Sequence, residues 1–342
     1  MNNFFFAPIP SFYRNNLYNE LNKKFEFSVI YINKKQDKFR SNDFLDNNSK
    51  YKRINYFKLG LLKKIFLINK IIFNTKKKTI FICGWNKIEY WIALFFSVNS
   101  TKVFICDSFE NNNKIFSLFK KFFLSMVDCV IVPGILHKNF IESLNFKKKI
   151  LVTKSVGIIN TLKKKKFIQK KKKNIKIIYI GRVSDEKNLG LLFDLIKSSN
   201  NLSLTIYGRD ENKLESSFNN KIKDKIKFKG SILNKKIKFE IKKYDLLILP
   251  SKFEPWGLVI EEAIYNGIPV ISSNKVGCNR DLIENLKVGY VFKNNSLQSL
   301  KRCVSKITNP KNLKVINKNL STLDYNSLKN KHINIYENIM LK

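Results

Sequence analysis

The segment Leu247–Ser272, "LILPSKFEPWGLVIEEAIYNGIPVIS", places Glu254, Glu261 and Glu262 within nine positions, in a chain with 65 basic residues against 26 acidic ones. Its apolar start reads as a strand, and Gly257 with Leu258 opens the helix that follows. A helix N-terminus has free N–H groups and the positive end of the helix dipole, so it favours phosphate oxygens. Glu262, about a turn and a half into that helix, is placed to reach back to the vicinal hydroxyls of a ribose. Glu254, in the loop, is placed to accept from the hydroxyls of a second sugar. Glu261 lies about 100° around the helix from Glu262, which predicts that it faces solvent or pairs with a lysine. A second run, "IYIGRVSDEKNLGLLFDLIK", puts Gly181 and Arg182 at a strand exit and Lys187 five residues later, where a helix begins. Arginine offers a planar fork and lysine a point charge, and both suit a diphosphate. Taken singly, each feature has a plainer reading: solvated cations after a strand, a helix-start carboxylate and a surface charge.

Elements that can hold these residues are legible along the whole chain. Short apolar runs alternate with amphipathic stretches: "FFFA", "FSVIYI", "TIFICGW", "KVFIC", "CVIVP" and "ILVTK" in the first half, then "IKIIYIG", "LSLTIYG", "IKFKG", "DLLILPS", "PVISS" and "GYVF" in the second. Helical stretches in the first half are Phe12–Lys24, Ile88–Ser97, Lys114–Met126 and Leu136–Leu144. Continuous apolar strands alternating with helices predict parallel sheets covered on both faces. The expected fold is therefore α/β, with two tandem doubly wound, Rossmann-like domains. They span residues 1–158 and 175–322, are joined by a Lys-rich linker at 159–174, and are followed by a C-terminal helix at 323–342 that could cross back to the first domain. In open sheets of this kind ligands bind outside the carboxyl ends of the strands, where Arg182, Lys187 and Glu254 fall.

At 342 residues the chain is long enough for two cores. The run "YWIALFFSV" is too short to span a bilayer, and "MNNFFFAPIPSFYR" has no basic region ahead of its apolar residues, so a cytoplasmic protein is expected. The five cysteines are widely spaced without a CxxC, which gives neither a disulfide framework nor a zinc site. The formal charge is +39, and 58 of the 65 basic residues are Lys. Abundant Lys, Asn, Ile and Phe are the signature of A/T-rich codons; the functional reading of the charge is attraction to an anionic surface.

In combination, Arg182–Lys187 and Glu254-x7-Glu262 resemble the glycosyltransferases of family 4, the group 1 glycosyl transferases, whose fold is the two-domain GT-B architecture. The resemblance covers nearly all of the second half. "SKFEPWGLVIEEAIYNGIPVISS" is similar to the family's E-x7-E segment, and "VGCNRDLIENLKVGYVF" to the segment after it, with Asp281 where many relatives carry Glu. The resemblance implies a nucleoside-diphosphate sugar as donor, UDP- or GDP-linked, with no separate cofactor. It implies Arg182, Lys187 and Glu254 as catalytic residues, and Gly181, Arg182, Lys187, Glu254, Gly257, Leu258 and Glu262 as the donor site. Arg182 and Lys187 would hold the diphosphate, Glu262 the ribose and Glu254 the transferred sugar, with retention of anomeric configuration. The chain contains no Asp-x-Asp pair, in keeping with a site in which Arg and Lys take the place of a metal.

In the first half, "IPSFYRNNLYNELNKKFEFSVIYI" resembles the first strand–loop–helix of some members, with Tyr13 and Arg14 beside the acceptor. "CGWNKIEYWIAL" and "CDSFENN" fall where the family lines the acceptor site, with Asp107 and Ser108 where many relatives carry a His. His137 could hang near that site, the other reading being a lone surface histidine. Trp85, Tyr90 and Trp91 could line a sugar site, though their helical spacing equally suits a core.

The function expected is a retaining, metal-independent transfer of a sugar to a glycan or lipid-linked acceptor in surface polysaccharide or lipopolysaccharide synthesis. The alternatives are a nucleotide-sugar epimerase of GT-B type and a nucleic-acid-binding protein. No recognition motif supports the latter, and Arg is scarce where base readout would want it. A basic, apolar segment at Phe57–Lys78, with Lys63, Lys64 and Lys70, is either an ordinary helix packed on the sheet or a surface resting on anionic lipid at the inner face of the plasma membrane.

Overall fold

The five residues of β1 (Asn3–Ala7) are all buried. A strand sends alternate side chains to opposite faces, and both faces of β1 are covered. Phe4 and Phe6 enter one apolar cluster with Ile30, Ile80, Ile82 and Phe104. Phe5 points the other way, stacked on Phe81 at 4.2 Å and against Tyr18 at 4.8 Å.

A computed structural model describes residues 3–33, 43–45, 49–56, 59–73, 78–110, 114–162, 174–209 and 224–341. The chain forms two units. The first takes in Met1–Gln36, Leu45–Ile158 and Ser327–Lys342, and the second Asp37–Phe44 and Ile159–Asn326. Most of the Lys-rich stretch, at 163–173, lies outside the described residues.

The first unit contains β1, β2 (Phe27–Tyr31), β3 (Lys52–Asn55), β4 (Lys78–Ile82), β5 (Ser100–Ile105), β6 (Cys129–Val132) and β7 (Lys149–Val152) in the order β3-β2-β1-β4-β5-β6-β7, all pairings parallel. Helix α1 (Phe12–Leu21) packs Tyr18 on the Phe5 face, which Tyr336 of the last helix also covers. The opposite face carries α2 (Leu61–Phe73), α3 (Ile88–Phe95), α4 (Lys114–Ser125) and α5 (Ile135–Ser143), through Ile68, Tyr90, Phe123 and Phe140. Strand β3 has no counterpart among the apolar runs of the sequence. Its residues are Lys-Arg-Ile-Asn, it lies at the sheet edge, and none of it is fully buried. Charged side chains on an edge strand discourage pairing with another chain.

The second unit contains β8 (Ile175–Ile180), β9 (Leu202–Tyr207), β10 (Ile226–Phe228), β11 (Leu246–Leu249), β12 (Val270–Ser273) and β13 (Gly289–Phe292) in the order β10-β9-β8-β11-β12-β13, again parallel. Helices α6 (Leu189–Lys197), α7 (Asn234–Glu240), α8 (Leu258–Tyr265) and α9 (Leu297–Thr308) connect or flank these strands, and α10 (Pro310–Thr322) and α11 (Tyr325–Met340) complete the chain. Both sheets bear out the expected pair of doubly wound α/β domains. The chain leaves β8 toward β9 on one side and reaches β11 on the other. The carboxyl ends of β8 and β11 therefore form the topological switch point, the crevice where such sheets bind ligands.

Candidate active site

Three loops meet at that crevice. After β8 the chain passes Gly181 and Arg182 into a tight turn at Asp185–Lys187, and Asn188, in the left-handed region at φ 55°, leads into α6. The Tyr179 hydroxyl donates to the Arg182 carbonyl at 2.6 Å, and a Cβ on Gly181 would come within 2.7 Å of that hydroxyl. Glycine is what lets the turn fold this tightly. After β11, the Lys252 amide donates to the Glu186 carbonyl at 2.8 Å, tying the second loop to the first. Glu254 forms an isolated parallel bridge with Val276, in the loop after β12. Its amide donates to Lys275 and its carbonyl accepts from Gly277, each at 3.0 Å. Gly257 then opens α8 at φ +92°, with a would-be Cβ 2.8 Å from Val276. A side chain here would meet both left-handed strain and a clash.

These loops bring three of the sequence-identified residues into one charged chain. Lys187 Nζ lies 2.8 Å from Glu254 Oε2 and 3.3 Å from Glu186 Oε1, and Arg182 donates to the same Glu186 oxygen. The Lys187 side chain is 10% exposed and that of Glu254 22%, so this pair is far better shielded than an ordinary surface ion pair. Glu186 was not singled out from the sequence. Its signal was there: it sits four residues after Arg182 in the first turn, the spacing at which opposite charges meet. Arg209, two residues past β9, is a further cation at a strand exit that the motifs did not single out; its carbonyl accepts from the Val183 amide at 3.2 Å.

Glu262 is buried in α8, and its Oε1 has no hydrogen-bond partner among the described residues. Burial, with smaller contributions from Glu261 and Asp43, pushes its carboxyl up to about 8. The Ser184 and Ser251 hydroxyls, in the loops after β8 and β11, are likewise buried without a partner among the described residues. Buried polar atoms are nearly always hydrogen-bonded, so each of these atoms has room in its bonding for a polar partner.

Glu261 corrects the expectation drawn from its angle on the helix. It is completely buried and accepts from the Trp256 indole N–H at 2.9 Å, instead of facing solvent or a lysine. Trp256, one residue before Gly257, folds back onto Glu261, and both carboxylates of the helix are internal. Glu261→Ala strands the indole N–H in the interior and is expected to destabilise the protein by about 1–3 kcal/mol. Glu261→Gln keeps an acceptor and is expected to be mild. Thermal unfolding of the two variants checks this, and an alanine variant as stable as wild type would contradict it.

In the first unit, Arg14 is buried after β1 and donates to Asp107 at 2.5 Å, after β5. Its other terminal nitrogen, Nη1, has no hydrogen-bond partner among the described residues. His137 is not a surface residue: it is fully buried, 5.3 Å from the Phe109 ring. Tyr90 is core, and Trp85 and Trp91 are partly buried against the same cluster, with Trp91 donating to the Trp85 carbonyl at 2.9 Å.

Two cations, a shielded carboxylate and a second buried carboxylate at the switch point of a doubly wound domain can receive a diphosphate at one end and sugar hydroxyls at the other. The two parallel-sheet units have the GT-B architecture, and comparison with known proteins agrees on that fold. Residues 160–321 match the family described as glycosyl transferases group 1, the resemblance read from the motifs. A sucrose-phosphate synthase from Thermosynechococcus elongatus shares the fold at TM-score 0.74 and 14% identity over the full length of both chains. So does the lipopolysaccharide outer core galactosyltransferase WaaB, at 0.73 and 16% over 99% of this chain and 100% of that one. A third, Anabaena Alr3699/HepE solved with UDP and glucose, matches at 0.72 and 15% over both full chains. Among curated proteins, an uncharacterized 41.2 kDa protein in the cps region of Klebsiella pneumoniae is 25% identical over 50% of this chain and 49% of its own length. An uncharacterized glycosyltransferase of Methanocaldococcus jannaschii is 27% identical over 43% of this chain and 36% of its own length. The chain thus spans half or less of the curated relatives it matches.

Proposed function

We propose that the protein transfers a sugar from a nucleoside-diphosphate donor to a hydroxyl of a glycan or lipid-linked acceptor, with retention of anomeric configuration, in surface polysaccharide synthesis on the cytoplasmic side of the membrane. The observation that carries this reading is the Arg182–Glu186–Lys187–Glu254 cluster at the β8/β11 switch point. Relatives solved with UDP and a sugar, and one named for a cps region, support a nucleotide-sugar donor and a polysaccharide product.

In this reading the diphosphate displaces the carboxylates from Arg182 and Lys187. The two cations then neutralise the charge that builds on the diphosphate as the bond from the anomeric carbon to its oxygen breaks. In many enzymes preorganised charge of this kind lowers the barrier more than any other single effect. Glu254, released from Lys187, accepts from hydroxyls of the transferred sugar. The acceptor oxygen bonds to the anomeric carbon on the face the diphosphate leaves, and its proton passes to the departing phosphate oxygen. The test is release of nucleoside diphosphate from a panel of UDP- and GDP-sugars in the presence of EDTA, with the product anomer read by NMR. Activity lost in EDTA and restored by a divalent ion would contradict the metal-free part of the reading, and an inverted product the retaining part.

Glu262 adds a pH signature. Its carboxyl, at about 8 in the free protein, is largely protonated at neutral pH. A ribose donating to it favours the charged form, so nucleotide binding releases a proton. Affinity for UDP is then expected to rise with pH between about 6 and 8, by at most about tenfold per unit, and to flatten in Glu262→Gln. The same shift has a stability sign: the folded value lies above the unfolded 4.5, so the protonated carboxyl supports the fold below about 4.5, and that support is lost as pH rises through about 8. Calorimetry across this range checks both, and a pH-independent affinity in wild type would contradict the ribose contact.

A further inference from the structure

Among the described residues, ten of the fourteen large apolar side chains left exposed lie between positions 62 and 122. Eight of the ten sit on the outer surface of α2, α3 and α4, the helices covering one face of the first sheet, and Phe96 and Val98 follow directly after α3. Leu62 and Phe66 of α2 are 82% and 68% exposed, and Phe116 and Phe119 of α4 are 60% and 59%. The surface is continuous across helices. Phe122 of α4 lies 6.2 Å from Trp91 and 6.3 Å from Phe95 of α3, and α2 is tied to α3 by the Lys64–Glu89 pair at 2.9 Å. Among the described side chains of helix α4, Phe123 and Leu124 are the buried ones. Its Phe116 and Phe119 rings are left to solvent, and contiguous exposed apolar patches of this kind mark interaction surfaces.

The charge around the patch is of one sign. Helices α2 and α4 contain no acidic residue, and the sole acid of α3, Glu89, is buried and spent on Lys64. Lys63 and Lys70 of α2, Lys87 at the start of α3 and Lys121 of α4 are exposed. Lys120 is turned inward over the Trp85 and Phe140 rings, 4.9 and 5.3 Å from their centroids, and does not belong to this set. Aromatic and aliphatic side chains flanked by unopposed lysines suit the boundary between anionic headgroups and acyl chains. No helix among the described residues is long and apolar enough to cross a membrane.

We propose that the α2–α4 surface docks on an anionic lipid bilayer, inserting Leu62, Phe66, Phe116, Leu118 and Phe119 while Lys63, Lys70, Lys87 and Lys121 meet the headgroups. This goes beyond the segment 57–78 singled out in the sequence, of which 57, 58 and 74–77 lie outside the described residues. It moves the main apolar contribution to α4 and removes Lys64 from the contact. It also stands apart from the transferase reading, because binding is measured with neither donor nor acceptor present.

The experiment is co-sedimentation with vesicles of equal parts phosphatidylglycerol and phosphatidylcholine, and of phosphatidylcholine alone, at low and high salt. Wild type is expected to bind the anionic vesicles, less so at high salt, and to leave neutral ones largely free. The variant Phe116→Ser/Leu118→Ser/Phe119→Ser is expected to bind at least about tenfold more weakly, and Lys63→Gln/Lys70→Gln/Lys121→Gln to lose the preference for anionic lipid. Val315→Ser, at an exposed apolar position of the second unit, is the control and is expected to bind as wild type. Quenching of wild-type tryptophan emission by brominated phosphatidylglycerol needs no variant, since Trp91 lies beside Phe122, and is expected on binding. Wild type ignoring anionic vesicles, an absence of quenching, or an apolar variant that binds as wild type would each overturn the proposal. So would a stable dimer in solution that the apolar variant dissociates, because the occupant of the patch would then be a second copy of the chain.

Discussion

Lys187→Ala is expected to lower kcat/KM by about 100- to 1000-fold, the range found when one preorganised charge or donor is removed from a developing anion. Binding of the nucleoside diphosphate alone should weaken as well, by about tenfold or more, because a charge-assisted hydrogen bond contributes about 1.5–3 kcal/mol. The structure adds a consequence that the motif does not carry. Lys187 is also the cation held 2.8 Å from Glu254, so its removal leaves that largely shielded carboxylate without its counter-charge. The two residues should therefore be coupled. The double variant Lys187→Ala/Glu254→Gln should lose less than the product of the two single losses, by about 0.5–3 kcal/mol of interaction energy. Steady-state kinetics of the four proteins measure this, and strictly multiplicative losses would show that the two act independently.

Glu254→Gln is expected to cost about 10- to 150-fold in kcat/KM while the fold stays intact. Its backbone position is fixed by the bridge to Val276, not by the side chain, so the amide should occupy the same place. What is lost is the charge that accepts from sugar hydroxyls. Glu261→Gln, seven residues on, is the comparison. It alters a carboxylate bonded to Trp256 inside the domain, and any loss there should appear as a lower melting temperature, with kcat/KM nearly unchanged. Equal kinetic losses at the two positions would remove Glu254 from its assigned role.

Twelve of the thirteen strands among the described residues coincide with apolar runs, and inner strands such as β6 and β11, buried at every position, must be apolar throughout. The exception, β3, is an edge strand whose Lys52 and Arg53 carry no burial signal. The placement of Arg182, Lys187 and Glu254 after strands is legible in the sequence, and their neighbourhood follows from doubly wound winding, which puts β8 beside β11; the roles proposed for them come from the family resemblance. That Lys187 and Glu254 touch was not legible: 67 residues separate them, and only the folded loops set the distance. Glu261 shows the limit of helix geometry. The angle from Glu262 is right, but which side faces solvent depends on Trp256 folding back onto Glu261. The burial of His137, read from the sequence as near the acceptor site or on the surface, does have a signal there: His137, Phe140, Ile141 and Leu144 follow the i, i+3, i+4, i+7 pattern of a buried face, and all four are buried. The α4 patch could not have been read in advance. A helix apolar on most sides gives no hint of which apolar residues the sheet leaves uncovered.

In the function proposed above, the β8/β11 crevice holds a nucleoside-diphosphate sugar through Arg182 and Lys187. The most direct test is the melting temperature of wild type and of Lys187→Ala against UDP, GDP and their sugar conjugates, with EDTA present. A ligand bound only by the folded state raises that temperature with its concentration. One nucleotide family should raise it in wild type, the free diphosphate included, and should do so much less in Lys187→Ala. No shift in wild type with any nucleotide at millimolar concentration, or equal shifts in the two proteins, would contradict the account.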